Sequence, residues 1–302
     1  MTASAKPAAE RDFRFGFTLA THRCRQELVN TCQRAEAYGF DVAVGVDHLG
    51  PSRTSPFLAS MAAAYSCERM HVGSYVLDVG FWHPWFLARE IATAQRLTDS
   101  RLEVGIGTGL IKSQFDESGF EWQPFQQRYE RVRATIEKVE ELLTLEEGVT
   151  SPPWLIGSGG ERMVGLAAER ADIASFAGRL QVAGEPPATL RLTTAEETQK
   201  AVDYFCSKAG DRLDQIERNA FILGVEVTDN RRQAAEKAME DFGPYLTMEQ
   251  MLECPFLLLG TEEEIARQII ESRERYGFSY FSVQRPHMEV LGPIIKRVRS
   301  LV

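Results

Sequence analysis

The chain has 302 residues, 44% of them apolar and 25% charged, and carries a net charge of −9. That is enough chain to bury a sizeable core, and the acidic balance argues against nucleic acid as a partner. The five cysteines (Cys24, Cys32, Cys67, Cys206, Cys254) are odd in number and share no CxxC spacing, so neither a disulfide framework nor a zinc site is expected.

No apolar run approaches the ~18 residues of a membrane span, and the first dozen residues lack the apolar core of a secretory signal. A reducing cytoplasm is the expected setting. Residues 1–11 read as a disordered polar tail, leaving 12–302 as one domain. Phe13–Leu19 reads as a strand. Arg25–Tyr38 reads as a helix with Leu28, Cys32 and Ala35 on its buried face and Gly39 as its C-cap. A second strand, Asp41–Val46, ends at Asp47-His48, and a helix spans Pro56–Cys67. A third strand, His71–Val79, precedes the helix Pro84–Leu97, which has proline at its first position. Leu102–Ile106 is the fourth strand, followed by Gly107-Thr108-Gly109. The segment IKSQFDESGFEWQP shows no period and reads as a long loop, ahead of a charged helix over Phe125–Leu145.

The fifth strand opens at Trp154 and breaks into Gly157-Ser158-Gly159-Gly160 before a helix resumes with Met163, Leu166 and Ala167 on one face. A strand that enters a helix through glycines leaves free N–H groups at the positive end of the helix dipole, a place for a phosphate or simply a turn. Ala171–Ala177 is the sixth strand, Thr193–Lys208 a helix, and Phe221–Val227 the seventh strand. Helices follow at 231–242 and 248–252. Thr261 and Glu264 form a capping box for the helix reaching Tyr276, and Phe278–Val283 is the eighth strand. Eight strands, each followed by helix, predict a (β/α)8 barrel with a loop and helix insertion after the fourth strand.

In such a barrel the chemistry sits after the strands. His48 stands there, as a proton-transfer group or as an ordinary helix cap. GIGTG lacks the third glycine of a dinucleotide fingerprint, and its small residues suit a flat ring lying against the strand end. Trp82 and His83 sit in a loop where they can line a substrate pocket. No metal site is indicated.

The succession DVAVGVDH, HVGSYVLDVGFWHP, LEVGIGTG and WLIGSGGERMVGLAAERAD, with the tail LLLGTEEEIARQIIESRERYGFSYFSV, resembles the luciferase-like monooxygenase superfamily. The closest likeness is to its oxidoreductases that use the deazaflavin coenzyme F420. The resemblance spans nearly the whole chain after residue 12. It implies that Gly159 and Gly160, beside Ser158, hold the cofactor phosphate, and that Tyr75-Val76 is a non-prolyl cis peptide under the ring. It also implies that His48 faces the reactive edge and that Thr108 lies near the ring. Two positions depart from the family's sugar-phosphate dehydrogenases. Leu110 stands where a catalytic glutamate follows the GTG, and Ser52 stands where a tryptophan follows the histidine. Both changes argue against sugar-phosphate oxidation and suggest a more apolar pocket walled by Leu110, Phe115 and Trp82.

The expected activity is hydride transfer between F420 and an activated C=C, C=N or C=O of a small organic substrate, in a homodimer. The alternatives are a flavin mononucleotide (FMN) monooxygenase of the same family and a cofactor-binding barrel without catalysis.

Overall fold

A computed structural model describes residues 11–19, 22–186 and 188–302. Residues 1–10, nearly all of the expected tail, lie outside the described residues. The chain runs through β1 (Arg14–Leu19), α1 (Arg25–Tyr38), β2 (Val42–Gly45), α2 (Pro56–Ala64), β3 (His71–Asp78), α3 (Pro84–Leu97) and β4 (Leu102–Gly107). It continues through α4 (Lys112–Ser118), α5 (Phe125–Leu143), β5 (Trp154–Ser158), α6 (Glu161–Arg170), β6 (Ile173–Phe176), β7 (Arg179–Gln181), β8 (Leu190–Leu192) and α7 (Ala195–Ala209). The last third comprises β9 (Glu217–Ile222), β10 (Gly224–Val227), α8 (Arg231–Phe242), α9 (Met248–Leu252), β11 (Leu257–Gly260), α10 (Glu262–Tyr276), β12 (Phe278–Val283) and α11 (Met288–Ser300).

Among the described residues, eight of these strands close a parallel barrel in the order β1-β12-β9-β6-β5-β4-β3-β2, as the alternation of elements predicts. The helices α1 and α10 carry the caps their sequences predict, whereas α2 stops at Ala64 and α5 at Leu143, short of the expected Cys67 and Leu145. Gly39 takes φ +96° and donates its N–H to Ala35 O, and Thr261 and Glu264 cap α10 reciprocally. The buried faces of the helices, with Cys32, Ile91, Ile136, Leu166 and Ile269 all 0% exposed, pack on the outside of the barrel. Each fully buried aliphatic side chain of this kind contributes about 1.5–3 kcal/mol.

Two expectations are corrected. The seventh barrel strand is Glu217–Ile222, not Phe221–Val227; β10 leaves the barrel and pairs in parallel with β11. The polar residues Glu217, Arg218 and Asn219 hid this strand, yet all three are buried, and Glu217 and Asn219 have partners inside the barrel. The expected long loop after β4 contains α4. That helix buries only Phe115, so it has no apolar period to read.

The barrel interior is layered. At its N-terminal end Arg14 bridges Glu103 and Glu217, 2.6 Å from the latter, and His71 Nδ1 lies 3.0 Å from Glu103. Burial works against the Arg14 charge, but the two glutamates more than offset it and hold the guanidinium protonated. Val42, Val44, Leu155, Ile173 and Tyr280 fill the middle. Above them, at the C-terminal end, a polar chain runs from Tyr75 through Ser175 and Asn219 to Ser282. The floor is thus closed, and the barrel can open only at the rim where the strands end.

Candidate active site

The rim is built from the ends of β2, β3, β4 and β5. His48 follows β2 and is half-buried. Its neighbour Asp47 does not orient it. Asp47 Oδ2 accepts the Trp82 indole N–H at 2.8 Å and the Asp78 amide at 3.0 Å, which ties the end of β2 to the loop after β3. The partner of His48 is Gln114, on α4, whose Oε1 also accepts the Leu49 N–H at 3.4 Å. Burial lowers the His48 pKa below its ordinary value, outweighing the hydrogen bond with Gln114 that raises it; Arg53 adds a smaller lowering and Asp47 a smaller raising effect. The imidazole is therefore neutral at pH 7, in a state to accept a proton.

Phe115 explains how Gln114 is presented. It is 1% exposed, 4.7 Å from the Phe81 ring and 4.9 Å from Trp122, so it lies beneath the rim and does not form the pocket wall expected of it. It rests over Gly80, where a Cβ would come within 2.4 Å of the ring. This seat fixes α4, and α4 projects Gln114 onto His48. Trp82 lies edge-on to Phe57 at 5.4 Å and is partly buried. His83 does not join the group: it is exposed, and its Nδ1 accepts the Trp85 N–H at the start of α3.

On the β4 side, Arg128 of α5 donates to the carbonyls of Thr108 at 2.8 Å and Gly109 at 2.7 Å, and stacks on Trp122 at 3.8 Å. These bonds hold the Gly-Thr-Gly segment from behind. Leu110, the next residue, is 46% exposed. The Tyr75–Val76 peptide bond is cis, as the resemblance implies. The Tyr75 side chain turns into the barrel and stacks on Phe221 at 4.8 Å. Val76 lies in a ring of glycines. A Cβ at Gly105 or Gly107 would be 3.0 Å from its methyl groups, and one at Gly157 3.5 Å. The three missing side chains leave a smooth shelf with Val76 in its middle.

The shelf leads to the turn between β5 and α6. Gly159 and Gly160 are exposed, and the N-cap of α6 is Gly160, which has no side chain to cap the helix. A Cβ at Gly160 would meet nothing within 4 Å, so packing does not require glycine there. Ser158 ends β5, and its side chain lies outside the described residues. A cavity of about 330 Å³ continues from this turn between Val164, Gly178, Arg179, Tyr204 and Phe256. A flat shelf, an exposed glycine turn at a helix start and a neutral imidazole fit a planar ligand that carries a phosphate and exchanges a proton.

The site brings together His48, Tyr75, Val76, Trp82, Thr108, Leu110, Gly159 and Gly160 on one rim. The rim rule selects the segment 107–115, which holds Gln114, but a loop reading gives that residue no role; Arg128, reaching the site from the middle of a charged helix, carries no sequence signal. The same rule selects the segment 76–83, which holds Asp78, without singling that carboxyl out.

The sequence profile of the luciferase-like monooxygenase family matches residues 14–280. An F420-dependent glucose-6-phosphate dehydrogenase of Kribbella flavida is 27% identical over 298 aligned positions, covering 86% of this chain and 88% of that protein. The enzyme of the same name from Intrasporangium calvum is 34% identical over a shorter stretch, 41% of this chain and 40% of that protein. Among solved structures, an F420-dependent secondary alcohol dehydrogenase in complex with an F420-acetone adduct superposes with a TM-score of 0.74 at 15% identity, over 95% of this chain and 98% of that one. The coenzyme F420-dependent tetrahydromethanopterin reductase of Methanopyrus kandleri gives 0.70 at 17%, over 95% and 99%. At these identities the likeness to solved structures establishes the fold.

Proposed function

Because this chain belongs to the luciferase-like monooxygenase family, we propose that it is an F420-dependent oxidoreductase acting on a small organic molecule with an activated C=C, C=N or C=O group. F420, when bound, supplies a carrier that gives up or takes a hydride. The chain supplies the rest. The amides at Gly159, Gly160 and the first turn of α6 hold the phosphate, and Val76 with Gly105, Gly107 and Gly157 supports the ring. Thr108, its carbonyl fixed by Arg128, borders the ring. His48 exchanges the accompanying proton at its imidazole, and Gln114 keeps the ring in place. Trp82 and Leu110 make an apolar wall that excludes water from the reacting atoms. The relatives are named for glucose 6-phosphate. With Leu110 where the family resemblance implies a glutamate, a less polar substrate suits this chain better.

The observation that carries this reading is the exposed glycine turn opening off the Val76 shelf, a fit for a planar cofactor ending in phosphate. Fluorescence titration against F420 and FMN tests it, followed by oxidation of the reduced cofactor with activated alkenes and imines, with and without oxygen. The expected result is F420 binding and oxygen-insensitive turnover. Binding of FMN with oxygen-dependent turnover would move the protein to the monooxygenase reading. Binding without turnover by any acceptor would leave a barrel without catalysis.

A further inference from the structure

We propose that Asp78 is a second proton-exchanging group of this site, presented to the bound ligand from beneath the Thr108–Gly109 segment. The inference rests on the functional reading above and adds a residue to it.

Asp78 ends β3 at the rim and is 7% exposed. Its Oδ1 accepts the Gly80 N–H at 3.0 Å. Among the described residues Oδ2 receives no hydrogen bond. It lies against Gly109, where a Cβ would come within 2.1 Å of it, so only backbone covers the carboxyl on that side. Gly109 has φ +77°, which makes the glycine doubly necessary. The charged groups that face Asp78 are Asp47, from the end of β2, and Arg128 and Arg131, from α5. Burial raises the Asp47 carboxyl too, against the hydrogen bonds it accepts from Trp82 and from the Asp78 amide. Burial, with Asp47 adding to it, lifts the Asp78 carboxyl to about 6 against the pull of the arginines.

A carboxyl of this kind carries a proton well above the range of an ordinary aspartate, on the side of the rim where Leu110 offers none. On donation the Oδ2–H bond breaks and its electron pair stays on the carboxylate. The proton passes to a basic atom of the bound ligand, and Arg128 and Arg131 face the charge left behind. Solvent returns the proton after product leaves. His48 and Asp78 come from different strands, so two protons can be handled independently in one turnover.

The test uses Asp78→Asn, which keeps an acceptor for Gly80, and Asp78→Ser as a smaller second variant. Burial also raises Asp41, Asp47 and Glu217, so the reading is a difference: infrared titration of the ligand-free wild type minus each variant should show a protonated carboxyl band that disappears as pH rises through about 6. In single turnover with F420 the variants should bind cofactor as the wild type does, slow by about a hundredfold, and lose the ionisation near pH 6 from the rate profile. A variant with the wild-type rate and profile, or a wild-type protein without the titrating band, overturns the proposal. If the wild type itself does not turn over F420, the functional reading falls, and the infrared titration still decides whether Asp78 holds the proton.

Discussion

His48 and Gly160 carry the two predictions that depend on single side chains. Burial keeps the His48 imidazole neutral at pH values where a free imidazole would be partly charged. Its pKa is lowered, so a step that needs the neutral base should persist as pH falls through about 6.5 and fail only below that. A step that needs the imidazolium would instead be weak already at about pH 6.5 and gain rate only as pH falls below it. His48→Ala should bind F420 within a few-fold of wild type and lose on the order of a hundredfold or more in the chemical step, read by stopped-flow single turnover. A near wild-type rate would mean that His48 only shapes the pocket. Gly160→Asp places a carboxylate where phosphate is held. It should weaken cofactor binding at least tenfold, about 1.4 kcal/mol. Because a Cβ there meets nothing, the melting temperature should hardly move. Unchanged affinity in a fluorescence titration would remove the turn from the cofactor site.

α4 depends on the residue it rests on. Gly80→Ala would drive a methyl group into the Phe115 ring, and such overpacking typically costs about 1–3 kcal/mol. The variant should melt earlier and turn over more slowly, as Gln114 shifts from His48, while the distant glycine turn still binds cofactor. Calorimetry and the same fluorescence titration separate these effects. This element also shows what the sequence could not convey. The long helices α1, α3 and α10 and most barrel strands were legible because their periods and caps are local: Leu28, Cys32 and Ala35 on one face, Pro84 at a first turn, Thr261 with Glu264. β9 was displaced because its inward residues are polar and find partners such as Arg14 and Ser175 far along the chain. The positions of His48 and the glycine turn were legible from strand order. The partners that tune them, Gln114, Asp47 and Arg128, are set by tertiary packing.

The outer surface of the barrel is uneven. α2 and α3 pack beside one another and leave Leu58 and Tyr65 over 70% exposed and Trp85 and Phe86 at 59%. An acidic chain with an aromatic patch of this kind should associate through it, and we expect a homodimer. Light scattering at micromolar concentration should give twice the chain mass, and Trp85→Lys with Phe86→Asp should return the monomer. A monomeric wild type would leave the patch unexplained. The barrel interior bears on stereochemistry. The shelf around Val76 masks one side of any ring laid on it, and the closed floor leaves no second approach from below. Hydrogen can then arrive and depart on the remaining side alone. A deuterium delivered to the deazaflavin from labelled substrate should therefore sit at one prochiral position of the reduced ring and be the atom returned in the reverse reaction. A scrambled label would mean that the ring does not lie on the shelf.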